Sequence, residues 1–146
     1  MTDTVANPLA LENQVCFALA VASRSVIALY RPVLEPLGLT HPQYLVMLAL
    51  WERSPRTLGD IARALALEPA TLSPLLKRLE AAGLVTRGRN EDDERALDIR
   101  LTQAGQALRA QAELVPPAIV ERLGMPLHEL ERIRDDLTAL LAAAAR

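Results

Sequence analysis

The sequence predicts a mainly α-helical protein with a small β-wing: a winged helix-turn-helix lobe and a helical dimerisation arm. Three observations carry that prediction. Two short helical patterns, Leu58–Leu65 and one opening at Pro69, are joined by a brief turn through Ala66 and Leu67. A hairpin pattern follows, in which Leu97, Ile99 and Leu101 alternate with Asp98 and Arg100, the period of a half-buried strand. Apolar residues recur at helical spacing at both ends of the chain, outside that lobe.

Taken in order, Met1–Ala6 reads as a polar, frayed start. The first helix carries Val15, Leu19, Val26, Ile27 and Tyr30 on one face. Its start is open between an Asn7 cap followed by Pro8 and an Asn13 cap, and it ends near Arg31-Pro32 or shortly after. Pro36 and Gly38 mark a connection, and Thr40 or His41 caps a second helix with Pro42 in its first turn. That helix stops at Ser54-Pro55.

Thr57 caps the third helix, whose stripe is Leu58, Ile61, Ala62 and Leu65. Glu68 is a weak cap for the fourth, where Leu72, Leu75, Leu76 and Leu79 face inward and Gly83 is the left-handed stop. Pro74 interrupts its hydrogen bonding and is expected to bend it. Strands over Leu84–Arg89 and Ala96–Thr102 form the wing around a charged tip at Asn90–Arg95. Thr102 caps a fifth helix that Val115-Pro116-Pro117 bends or interrupts. A last helix from about Pro126 bears Leu127, Leu130, Ile133, Leu137, Leu140 and Leu141.

Composition narrows the function. In 146 residues, 51% are apolar but only 3% aromatic, so aliphatic side chains must build the core. Thin aliphatic cores are often completed by a second copy. A net charge of −2 argues against non-specific coating of DNA. No apolar run is expected to span a membrane and no export signal is expected, which predicts a cytoplasmic protein. A single cysteine, Cys16, rules out an intrachain disulfide and leaves a reduced thiol as the default. His128 reads as a surface residue, and neither a metal nor another cofactor is expected.

A recognition helix needs short hydrogen-bonding side chains near its start and cations along its exposed face. Thr71 and Ser73 fit the first requirement, Lys77 and Arg78 the second. Arg87 and Arg89 add charge at the wing base, and Arg95 stands where a tip can enter the minor groove. Eight basic residues meet eight acidic ones between Arg56 and Arg100, so arrangement, not total charge, must do the work. The run Glu91–Glu94 would repel phosphates unless Asp93 is used internally, for instance to orient Arg95.

Leu58-Gly59-Asp60-Ile61-Ala62, Leu75 through Val85, Asp93-Glu94-Arg95 and Leu101-Thr102 with Gly105 resemble the MarR family of bacterial winged-helix regulators along almost the whole chain. That resemblance implies a homodimer on an inverted-repeat operator in double-stranded DNA. The first, fifth and sixth helices intertwine, and two recognition helices occupy successive major grooves. It divides the chain into a dimerisation region at about 8–38 and 103–146 and a DNA-binding lobe at about 40–102.

Leu11 through Leu19, Tyr30 through Thr40 and Pro42 through Met47 are similar to one branch, the organic-hydroperoxide-responsive repressors of the OhrR type. The resemblance implies that Cys16 is oxidised by an organic hydroperoxide and that the dimer then leaves its operator. It also implies that side chains at Tyr30 and His41 reach the sulfur from the partner subunit, with Tyr44 nearby. The branch usually has tyrosine at His41, and another one turn after the cysteine, where Ala20 stands here.

The chemistry is consistent with that assignment. A thiol attacks peroxide as the thiolate, favoured by a helix N-terminus, hydrogen bonds or a nearby cation. Capping at Asn13 would put Cys16 in the first turn; capping at Asn7 would put it two turns in. Cys16 and Tyr30 share nearly one face, but fourteen helical residues separate them by about 21 Å. They can meet only across an antiparallel pair of first helices. His41 can donate to sulfur and, if protonated, would favour the thiolate. Oxidised Cys16 can join a small cytosolic thiol, form a sulfenamide, over-oxidise, or bridge to its copy if the dimer brings the thiols together.

Three other functions stay open on the sequence. One is a MarR-type regulator answering a small aromatic ligand, with Cys16 structural. Another is a one-cysteine thiol peroxidase, although no peroxidase motif is recognisable. The last is a winged-helix adaptor that binds only protein.

Overall fold

The computed structural model describes residues 7–146; the polar start at residues 1–6 lies outside the described residues. A short 3-10 turn, Leu11–Asn13, leads into α1 (Val15–Leu34). Then come a second 3-10 turn, Glu35–Leu37, and α2 (His41–Glu52). The lobe continues with β1 (Arg56–Thr57), α3 (Leu58–Leu65), α4 (Pro69–Ala81), β2 (Val85–Arg89) and β3 (Leu97–Leu101). The chain closes with α5 (Gln103–Ala112), α6 (Val115–Leu123) and α7 (Leu127–Ala144).

The lobe's local signals act as expected. Thr40 caps α2 in a reciprocal pair with Gln43. The Thr57 hydroxyl accepts the Asp60 amide, and the Thr102 hydroxyl accepts the Gly105 amide while donating to the Gly83 carbonyl. Gly83 ends the α4 region in the left-handed conformation, and Ala66 adopts it between α3 and α4. Glu68 makes no side-chain cap bond.

The sheet contains one strand that the sequence reading missed. β1 pairs antiparallel with β3, Arg56 opposite Ile99 and Thr57 opposite Asp98, which puts β3 in the centre of the order β1-β3-β2. A two-residue strand has no detectable period, and its partner lies about forty residues on. The proline pair does interrupt the fifth helix, dividing it into α5 and α6.

The core sits beneath α4. Leu34, Val46, Met47, Leu50, Ile61, Leu72, Leu76, Leu79, Val85, Ile99 and Val115 are all but inaccessible. Trp51 bridges to the next layer, its indole N–H donating to the Gly105 carbonyl at 2.9 Å. Gly105 is required there, because a Cβ would overlap the Leu84 carbonyl oxygen.

Outside the lobe the picture inverts. α7 buries none of its eighteen residues, and Ile133, Leu137, Leu140 and Leu141 all lie exposed. α1 buries only Leu34 and leaves Val15, Phe17, Val21 and Ile27 in solvent. The stretch Val15–Leu37 is, by length and composition, long and apolar enough to cross a membrane, contrary to the sequence expectation. Arg24 falls near its middle, where an arginine in a bilayer costs about 3 kcal/mol. Its contacts with α2 and α6 make it part of the folded domain.

Candidate functional site

The surface expected to face DNA is assembled by burying one side of α4. Leu72, Leu75, Leu76 and Leu79 pack inward, which turns Thr71, Lys77 and Arg78 to solvent and leaves Ser73 half-buried. The structure also separates the lobe's balanced charges into those paired internally and those left free. Asp60 accepts Arg53 at 2.6 Å and Arg56 at 2.7 Å, and the hydrogen bond from Arg56, with that from Arg53, holds its carboxyl below the usual carboxylate range. Arg56 also donates to the Ala49 carbonyl, tying the end of α2 to α3. Lys77, Arg78, Arg89, Arg95 and Arg100 make no ion pair among the described residues.

Arg87, expected among the DNA contacts, has a partner within the lobe. Its guanidinium donates to Glu80 at 3.0 Å, and that bond lowers the Glu80 carboxyl's pKa and raises its own. The Arg87 Nε is buried without a partner. The residue braces β2 against α4, seven positions away, a pairing the sequence could show only once the hairpin had been docked on the helix.

The wing tip is built around Asn90, which sequence reasoning passed over. Its side-chain Oδ1 accepts the Asp92 and Asp93 backbone amides at 2.9 Å, and its Nδ2 donates to the Asp98 carboxylate at 2.8 Å. Asp93 accepts the Arg95 amide at 3.0 Å, the internal use that the acidic run required, and the Arg95 side chain stays exposed at the tip. An Asn three residues before an Asp in a charged turn is the signal that could have exposed this arrangement.

The thiol lies at the far end of the molecule's longest helix. Neither expected cap starts it. Gln14 precedes α1 in an extended conformation, and its side chain instead donates back to the carbonyls of Pro8 and Ala10. The Asn13 side chain donates to the Asn7 carbonyl, and that of Asn7 accepts the Leu9 amide. Cys16 is therefore the second residue of the helix, exposed, within the turn where backbone N–H groups lack helical acceptors. This is the environment of the later start, reached without its cap.

Tyr30, His41 and Tyr44 do come together, at the opposite end of α1. The Tyr30 and His41 rings meet edge to face, 4.8 Å between centroids, and Tyr44 lies 6.0 Å from Tyr30 and 6.5 Å from His41. Burial raises the pKa of both phenols, that of Tyr44 further through Tyr30, and lowers that of His41. Burial thus favours the neutral form of His41, which can still serve as a hydrogen-bond donor. Beside this trio an open groove of about 680 Å³ runs between α1 and the start of α2, lined by Arg24, Ile27, Arg31, Glu35, Leu39 and His41 among others. No cluster of metal-ligating side chains occurs among the described residues.

Comparison with known proteins places this architecture. Residues 39–97 match the model of the MarR family. The chain is 40% identical over 131 residues to the organic hydroperoxide resistance transcriptional regulator of Bacillus subtilis, covering 90% of this chain and 89% of that one. It is also similar to AbfR of Staphylococcus epidermidis. Reduced AbfR bound to DNA is 40% identical with a TM-score of 0.75, covering 93% of this chain and 95% of that one. Overoxidized AbfR bound to DNA gives 41% and 0.74, with 92% and 94% covered. A disulfide form of AbfR gives 41% and 0.63, with 90% and 92% covered. The peroxidase and adaptor readings give way to these relatives, and the chain belongs to the MarR family of transcriptional regulators, in its organic-hydroperoxide-responsive branch.

Proposed function

We propose that Cys16 is the sensing thiol of a homodimeric repressor, and that its oxidation by an organic hydroperoxide releases an inverted-repeat operator. One observation carries the reading. The exposed thiol and the uncovered apolar face of the arm share α1, so chemistry at sulfur acts on the surface that a second copy must cover. The dimerisation region comprises about residues 8–38 and 103–146, and the lobe at about 40–102 reads DNA.

Within that lobe Thr71, Ser73, Lys77 and Arg78 approach base edges and phosphates in the major groove, and Arg95, set by Asp93, enters the minor groove. Arg87 contributes by holding the wing on α4. In an antiparallel pairing of α1 helices, Tyr30 and His41 of one copy approach Cys16 of the other, with Tyr44 packed behind them. His41 acts there as a neutral hydrogen-bond donor. The thiolate attacks the terminal peroxide oxygen, the O–O bond breaks, the alkoxide leaves as alcohol after taking a proton, and Cys16 becomes a sulfenic acid. The protein works in the cytoplasm, where the thiol starts reduced.

Overoxidized AbfR is bound to DNA, so oxygen atoms on sulfur alone are compatible with the bound state in that relative. This favours a bulkier adduct as the releasing species here. With no second cysteine in the chain, a small thiol supplies it.

Binding of the reduced protein to an inverted-repeat operator, before and after stoichiometric cumene hydroperoxide, tests the reading with Cys16→Ser in parallel. Added glutathione completes the adduct. Loss in wild type alone, reversed by dithiothreitol, is the expected result. An equal response, or none, in both proteins overturns it. That result would favour an aromatic-ligand regulator, for which an apolar pocket of about 290 Å³ beside Tyr44, Leu48, Trp51 and Ala112 offers space.

A further inference from the structure

We infer that the groove bearing Arg24 and Arg31 binds the low-molecular-weight thiol that caps oxidised Cys16, and that it selects thiols carrying carboxylates. The inference rests on the cross-subunit thiol reading above and deepens it. The groove is too large for one cysteine side chain, and it lies against the trio that the sulfur of a second copy approaches. The lining sets two guanidinium groups beside apolar Ile27 and Leu39, which a site that only shielded a thiol would not need.

Arg24 and Arg31 are seven residues apart, two turns of one helix face, which separates them by about 10 Å along the axis. That spacing suits the two carboxylates of an extended tripeptide-like thiol. Both are exposed, and neither has an ion-pair partner among the described residues. Glu35 is the opposing charge in the lining, and it makes no ion pair with Arg31 although it stands one turn away. His41, neutral near pH 7, adds no charge, so the lining carries a net positive charge.

An antiparallel pair that brings Cys16 level with Tyr30 is centred on Ser23. It therefore brings Val15 level with Arg31 and Ala22 level with Arg24. An adduct on Cys16 would then extend along the stretch of α1 that carries the two arginines of the second copy. The thiol attacks the sulfenic sulfur, an S–S bond forms, the S–O bond breaks and water leaves with the proton. The peroxide is the oxidant, and no further reductant is required.

The test compares rates of adduct formation by mass spectrometry in the full-length protein. The protein is oxidised by cumene hydroperoxide and then mixed with glutathione, glutathione dimethyl ester or cysteamine. Wild type, Arg24→Gln/Arg31→Gln and Arg24→Lys/Arg31→Lys are run together, so that ratios between proteins cancel the intrinsic reactivity of each thiol. Dimedone trapping reports the sulfenic acid separately.

Wild type should favour glutathione over its ester about three- to tenfold relative to the glutamine variant, and the lysine variant should retain most of that preference. The preference should shrink in 0.5 M salt. Equal ratios in all three proteins, or a preference surviving in the glutamine variant, overturn the subsite while leaving the sensor intact. Absence of any dimedone adduct overturns the sensor itself, and the subsite with it.

Discussion

The winged lobe and the helical arm draw on similar side chains and put them to opposite use. In the lobe, Leu72, Leu76 and Leu79 are sealed under α4, and nearly every polar signal is answered within the same chain: Thr57 by Asp60, Thr102 by Gly105, Asp60 by two arginines, Asn90 by the wing. In the arm, Leu137 and Leu140 of α7 and Val21 of α1 occupy the same periodic positions yet face water. The lobe is a completed domain. On the proposed reading the arm is half of an interface, and the half that carries the thiol. A sensor placed there need not deform the reading head; it has only to change how two rigid heads are spaced.

The contrast predicts a graded series. Leu76→Ala should be the most damaging, about 2–5 kcal/mol in denaturant unfolding, because its buried position leaves a cavity. Gly105→Ala follows at about 1–3 kcal/mol, since the Leu84 carbonyl must move and the Trp51 bond with it. Leu137→Asp should behave differently. The lobe keeps its near-ultraviolet signature, while sedimentation shows dimer dissociation rising about tenfold or more. A lobe that unfolds in Leu137→Asp, or an unchanged dimer, would break the division between the two regions.

Lys77→Ala and Arg78→Ala should each weaken operator binding and lower the salt slope by about one, leaving thermal stability unchanged. Arg87→Ala should do the reverse in kind, loosening the wing and lowering the melting temperature as well as affinity, because it frees Glu80.

The smallest effects are in pH. The depressed Asp60 carboxyl contributes stability that is present above the unfolded carboxylate range and is lost as pH falls through its lower folded value, so Asp60→Asn should flatten the acid limb of the melting curve. His41 is also depressed, but as a base: the folded state prefers it neutral. Stability should therefore fall as pH drops below about 6.5 toward its folded value, an inflection that His41→Gln removes.

What could be read from the sequence follows the same divide. Caps, turn residues and stripes are local, so the order of the lobe's elements, the stop at Gly83 and the break at Pro116-Pro117 were all legible. Partnerships closed by tertiary docking were not. β1 exists only because Arg56 and Thr57 meet β3, and Arg87 meets Glu80 only once the hairpin packs on α4. The start of α1 stayed open between two caps because Gln14 and Asn13 turn their side chains back onto the preceding turn instead of capping. His41 could be named as a partner of Tyr30, but its charge depends on burial, which the sequence does not state.

The most direct test of the central claim is the distance between the two recognition helices in the dimer. A spin label attached at exposed Ala81 through a non-cysteine chemistry leaves Cys16 free to react, and pulsed electron resonance reads the separation. In the reduced protein the distance should show one narrow population compatible with helices about 34 Å apart on successive major grooves. After hydroperoxide and glutathione it should shift or broaden in wild type and stay fixed in Cys16→Ser. Operator release with an unchanged distance would contradict the account, because the signal would then have to reach DNA through the lobe itself.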